Sequence, residues 1–92
     1  MRLCWSEPAR QDILRLYDFL AQVNPDAAAA AINELVAAIE HLPLNPRLGR
    51  TLDAYRPRDI RRLVVGPYEV RYELRHDEVL VVRLFHGRED RQ

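Results

Sequence analysis

Residues 68–75, Tyr-Glu-Val-Arg-Tyr-Glu-Leu-Arg, alternate apolar and charged side chains without a break. A period of two is strand geometry, so Tyr68, Val70, Tyr72 and Leu74 share one face and Glu69, Arg71, Glu73 and Arg75 the other. Such a strand needs a core beneath one face and solvent over the other, which is an antiparallel sheet covered on one side. Its neighbours run about Ile60–Val65 and Val79–His86, with Gly66-Pro67 and His76-Asp77-Glu78 as the turns. The last strand departs from the pattern. Val79-Leu80-Val81-Val82 is apolar at every position, so both of its faces call for cover. Either the loop over residues 43–59 shields the second face, or that face is an apolar groove filled by a partner segment.

The first half of the chain has a helical period instead. A short apolar start, Met1 to Trp5, reads as a first strand. Ser6 is placed to cap a helix, with Glu7 and Pro8 suited to its first turn. From Ala9 the apolar residues Ile13, Leu16, Tyr17 and Leu20 form one stripe, leaving Arg10, Gln11, Arg15, Asp18 and Gln22 for solvent. Asn24-Pro25-Asp26 stops this helix and starts a second, whose stripe is Ile32, Leu35, Val36, Ile39 and Leu42. So short a connection predicts an antiparallel helix hairpin. Pro43, Pro46 and Gly49 then make a loop, and residues 50–59 read as extended without a clear period. The expected fold is α+β: strand, helix hairpin, then a three-stranded antiparallel meander, with the helices on one face.

Ninety-two residues accommodate one domain, spanning 1–92, and a core of modest size. Fourteen basic residues, every one of them arginine, balance fourteen acids. Guanidinium groups stay charged and bind phosphate or carboxylate bidentately, and no lysine is available as a tunable base. Zero net charge argues against a protein held to nucleic acid by bulk electrostatics, although local clusters can still bind it. The single cysteine, Cys4, excludes an internal disulfide and a multi-cysteine zinc site, and reads as a small hydrophobe on the first strand. No membrane-length apolar run and no leader peptide are expected, because Trp5-Ser6-Glu7 interrupts the start; the expected location is cytoplasmic.

Arg61, Arg62, Arg71, Arg83, His86 and Arg88 are the residues able to carry chemistry. Arg61 and Arg62, adjacent on a strand, point to opposite faces. Strict alternation puts Arg83 on the face of Val79, Val81 and Phe85, opposite His86. An arginine in that company needs a carboxylate, phosphate or carbonyl, so it is either a structural ion pair or a ligand site. His41 at a helix end and His76 in a turn are less suited to function than His86, which is a hydrogen-bonding residue or a general acid–base. Glu69 and Glu73 are assigned to the solvated face, paired with Arg71 and Arg75 or with neighbouring strands. No cofactor motif, phosphate loop or metal-ligand spacing is present in the sequence.

Several local patterns in this order resemble the RelE/ParE superfamily, and its ParE-like subgroup in particular. They are Trp5 before a helix with Ala9 and Asp12-Ile13, Pro25-x-Ala-Ala, Leu42-x-x-x-Pro46-x-x-Gly49-Arg50, Arg61-Arg62-Leu63-Val64, Tyr68-x-Val-x-Tyr72 and Val82-Arg83-x-x-His86-Gly87-Arg88. The resemblance covers essentially the whole chain. It implies the toxin of a type II toxin–antitoxin pair, which poisons DNA gyrase and is neutralised by a cognate antitoxin in a hetero-oligomeric complex, with no membrane partner. Arg83, His86, Arg88 and Arg91 are then expected at the target, and Val79, Val81 and Phe85 at the antitoxin. RelE-like members are instead similar to ribosome-dependent mRNA endonucleases, and for that chemistry Arg61, Arg83 and His86 are the candidate catalytic residues. The chain departs from the RelE pattern in having no lysine and nothing aromatic after Phe85. A third possibility is a non-toxic relative that only binds a partner.

Overall fold

In the computed structural model, residues 1–87 are described. The elements are β1 (Arg2–Trp5), α1 (Glu7–Ala21), α2 (Pro25–Glu40), β2 (Arg50–Thr51), β3 (Asp59–Val65), β4 (Tyr68–Leu74) and β5 (Glu78–His86). Short 3-10 turns, Leu42–Leu44 and Asp53–Tyr55, flank β2. The strands form one sheet in the order β1-β5-β4-β3-β2. The expected meander of β3, β4 and β5 is present and antiparallel, but β1 joins it parallel to β5, making the sheet mixed. Residues 50 and 51, within the stretch without a period, add a second edge strand against Arg61 and Arg62. Neither pairing has a local signal, because each partner lies across a loop or the whole chain.

The helices start where the capping chemistry puts them. Ser6 Oγ accepts from Ala9 N–H at 3.1 Å, and Asn24 Oδ1 accepts from Ala27 N–H at 3.2 Å. Ala9 and Leu16 of α1, with Leu35 and Ile39 of α2, pack onto Tyr68, Val70, Tyr72, Val79, Val81 and Leu84 of the sheet. Twenty residues, Pro25–Leu44, do prove long and apolar enough on average to cross a membrane by length and composition, contrary to expectation. Within that stretch Leu35, Ile39 and Leu42 are fully buried against the rest of the chain, while most of its other positions are exposed or half-buried.

Tyr72 anchors the loop that precedes β2. Its hydroxyl donates to Pro46 C=O at 2.8 Å and accepts from Gly49 N–H at 2.8 Å. A Cβ on Gly49 would lie 2.7 Å from that oxygen, so the close approach requires glycine. Gly66 is required for a different reason: its φ of 57° opens the tight β3–β4 turn. Tyr72→Phe should cost about 1–3 kcal/mol, because the buried Gly49 N–H loses its acceptor. A urea titration should show a lower midpoint with an unchanged slope; an unmoved midpoint would mean that the loop is not tied down through this hydroxyl.

Candidate functional site

β1 is shorter than β5 and covers it only from Glu78 to Val81. Beyond that point the edge of β5 has no strand beside it, and α1 takes over. Ser6 N–H donates to Val81 C=O at 2.9 Å, and the Ser6 hydroxyl donates to Val82 C=O at 2.8 Å. One helical turn and a half further on, Asp12 Oδ2 accepts from Leu84 N–H at 2.8 Å, and Arg15 donates to Leu84 C=O at 3.0 Å. Side chains of a helix thus supply the hydrogen bonds that a missing strand would have made.

A β-bulge sits at the same place. Arg71 is opposite Arg83 and Tyr72 opposite Val81, so Val82 is the extra residue. It reverses the alternation of β5. Val79 and Val81 point into the helix-covered core, as do Leu84 and His86 beyond the bulge, whereas Arg83 and Phe85 stand on the open face. The expected common face of Val79, Val81, Arg83 and Phe85 therefore does not form. Val79 and Val81 are fully buried and cannot present themselves to a partner, which leaves Phe85 alone of the three on the open side. Arg83 and His86 remain on opposite faces, as alternation requires.

From the open face Arg83 reaches round the edge of β5 to Asp12, with Nε at 2.8 Å from Oδ2 and Nη2 at 3.2 Å from Oδ1. Its need for an acid partner is thus met within the chain. Burial by itself would push the Asp12 carboxyl up; hydrogen bonds from Arg83, from Leu84 N–H and from Arg15 outweigh it, and the pKa is lowered. Periodicity alone does not mark Asp12 as a site residue, and it assigns Arg15 to solvent. The available signal was positional: Asp12 lies one turn from both Ala9 and Leu16, an acid inside an apolar stripe.

The open face is tiled with ion pairs. Glu69 accepts from Arg62 and Arg71, each at 2.7 Å, and Glu73 from Arg58 and Arg75 at 3.0 and 3.1 Å. The expected arginine pairing is present; the expected solvated environment is not, for Glu69 is only 2% and Glu73 only 7% exposed. Guanidinium groups from both sides lie over the carboxylates and take the water-facing positions themselves. The hydrogen bond from Arg58 is the main reason the Glu73 pKa is lowered. Arg71 and Arg83 also flank the Phe85 ring, each 5.1 Å from its centroid. A cavity of about 210 Å³ opens there, lined by Tyr55, Arg58, Ile60, Arg71, Val82, Arg83 and Phe85. Tyr55 and Arg58 come from the loop over residues 43–59, so that loop covers part of the second face of β5 and leaves a hollow beside it.

The three residues considered for RNA cleavage are not gathered in one place. Arg61, opposite Tyr72, is on the helix side of the sheet, held by Asp59 at 3.0 Å and by Gly49 C=O at 3.0 Å. His86, opposite Tyr68, is on that side too but four positions further along β4, between the rings of Phe19 and Tyr68 at 5.8 and 5.5 Å. Arg83 is on the other face. Arg61 and Arg62 diverge as predicted. Arg88 and Arg91 lie outside the described residues.

The model of the family described as ParE toxin of type II toxin-antitoxin system, parDE, matches residues 3–91. The chain belongs to the ParE toxin family. It is 30% identical over 88 residues to Toxin ParE3 of Caulobacter vibrioides, covering 95% of this chain and 87% of that one. The fold matches a solved chain of the chromosomal ParDE TA system from P. aeruginosa with a TM-score of 0.78 at 21% identity, covering 94% of this chain and 95% of the other.

The lowered carboxyl groups set the acid stability of this ParE-family chain. A carboxylate whose folded pKa is depressed contributes stability above its unfolded value, near 4. That contribution is lost as pH falls through the lower folded value. Stability should therefore hold steady from about pH 7 to pH 5 and decline below about pH 4. Asp12→Asn should make the decline shallower while costing stability at neutral pH; an unchanged acid slope in pH-dependent thermal melts would remove Asp12 from this role.

Proposed function

We propose that this ParE-family toxin acts in the cytoplasm on DNA gyrase, blocks replication, and is held inactive by a cognate antitoxin in a hetero-oligomeric complex. The relatives it matches are ParE toxins, and one is a chain of a ParDE pair. The observation that carries the choice of target is the separation of Arg61, Arg83 and His86. A nuclease acting through these three would need them round one scissile phosphate; here Arg83 stands on one face of the sheet and the other two are apart on the opposite face. Arg61 and Arg83 are, moreover, engaged by Asp59 and Asp12.

The proposed target surface is the end of β5 with the tail that follows it: Arg83, His86, Arg88 and Arg91. The antitoxin is proposed to fill the hollow beside Phe85 on the open face, where a carboxylate could meet Arg71 or Arg83 and an apolar side chain could lie against Tyr55 and Val82. Val79 and Val81 contribute to that surface only from below, by packing the strand in place.

Toxin freed of antitoxin by denaturation and refolding should inhibit gyrase supercoiling and accumulate cleaved DNA, with relief on adding antitoxin. Truncation after His86 should abolish inhibition and leave antitoxin binding largely intact; loss of both together would overturn the assignment of the tail to the target. Cleavage of mRNA on translating ribosomes without any effect on gyrase would replace this target with the ribosome.

A further inference from the structure

The neutral net charge conceals a separation of charge between the two halves of the fold. Residues 7–40, the helix hairpin, carry six acids against two arginines; residues 47–62 carry six arginines against two aspartates. The basic stretch comprises β2, the loop after it and most of β3, and β2 is the outermost strand of the sheet. α1 docks along β5, with β4 and β3 between it and that edge. The positive charge therefore has a place of its own.

Its arrangement is informative. Arg50 is opposite Arg62, on the face where Arg62 meets Glu69, while Thr51 is opposite Arg61 on the other face. Arg50 is exposed on the first face; on the second Arg61 is held by Asp59 and Gly49 C=O, and the exposed guanidinium is that of Arg56, which lines a cavity with Thr51. Arg58, Arg61 and Arg62 have acid partners, but Arg47 and Arg50 have no ion pair among the described residues. Among the described residues Arg56 pairs with Asp53 alone, whose side chain is 80% exposed, and so weak a surface pair can be exchanged for another anion. Beside β2 lies a cavity of about 310 Å³ lined by Thr51, Arg56, Pro57, Arg58, Asp59 and Arg61, with guanidinium and hydroxyl donors for a phosphate oxygen.

We propose that the β2–β3 edge, through Arg47, Arg50 and Arg56, binds the phosphate backbone of duplex DNA. A flat basic face would suit a single strand; a narrow edge with guanidinium groups on both sides suits the two rows of phosphates that border a duplex groove. The contact is sequence-independent, because nothing in it reads base edges. This goes beyond the gyrase reading and does not depend on it.

The test is fluorescence anisotropy of the refolded full-length toxin with a labelled duplex DNA and with a single-stranded RNA of equal length, across a salt series. Three phosphate contacts predict a log–log salt slope of roughly −2.7, a fall of roughly 40-fold in affinity between 50 and 200 mM salt. The triple variant Arg47→Gln, Arg50→Gln, Arg56→Gln should lose most of that slope while keeping the parent's circular dichroism and melting transition; these exposed side chains are outside the core. No duplex binding, a wild-type slope in the triple variant, or tighter binding of the RNA would each overturn the proposal. A variant that no longer binds DNA but still inhibits supercoiling would support the surface and show that gyrase is recognised elsewhere. Toxin that binds duplex through these arginines without affecting gyrase would leave the surface standing and remove the target.

Discussion

The Asp12 carboxylate is the fixture on which the two layers of this fold are joined. It accepts the Leu84 N–H that has no strand beside it, takes Arg83 from the far face of the sheet, and holds Arg15, which in turn donates to Leu84 C=O. A carboxylate 3% exposed is costly to desolvate, and it persists because every one of those donors is aimed at it. The bulge at Val82 belongs to the same fixture. With the extra residue, the strand turns its backbone toward α1 and its Arg83 toward Asp12, while Leu84 drops into the core.

The open face solves a different problem. One layer of helices covers one side of the sheet, and the described residues place no second helical layer on the other. Arginine fills that role. Glu69 and Glu73 sit low on the strands, and Arg58, Arg62, Arg71 and Arg75 close over them, so charged groups form a lid with their aliphatic stems inward. No buried side-chain polar atom among the described residues lacks a partner. The lid is interrupted at Phe85, Val82 and Tyr55, where apolar and aromatic side chains are rimmed by guanidinium groups.

Much of this was legible in residue order. Ser6 and Asn24 mark the two helix starts because a side-chain oxygen can satisfy an end-of-helix N–H wherever the chain goes next. The alternation from Tyr68 to Leu74 identified the covered strand, and the adjacency of Arg61 and Arg62 fixed their divergence. The failures share one cause. The parallel pairing of β1 with β5 joins residues 76 apart, and β2 pairs across a loop, so no local pattern announces either. Strict alternation, carried through Val82, put Arg83 with Val79 and Val81; one extra residue reversed that. Glu69 and Glu73 looked solvated because an acid among arginines reads the same whether the arginines lie beside it or over it.

What the sequence determined by itself was the two helices and the four longer strands, their order, the buried faces of the helices and of β4, and membership of the ParE family, since these follow from periodicity, caps and motifs that act over a few residues. What only the tertiary structure decided was which groups meet. Asp12 finds Leu84 and Arg83 seventy-odd residues away, Tyr72 finds Gly49 and Pro46, and a bulge chooses the face of every residue after it. Those outcomes depend on an unpaired strand edge having to satisfy its hydrogen bonds wherever donors and acceptors can be brought to it, and that is a condition on the folded chain as a whole.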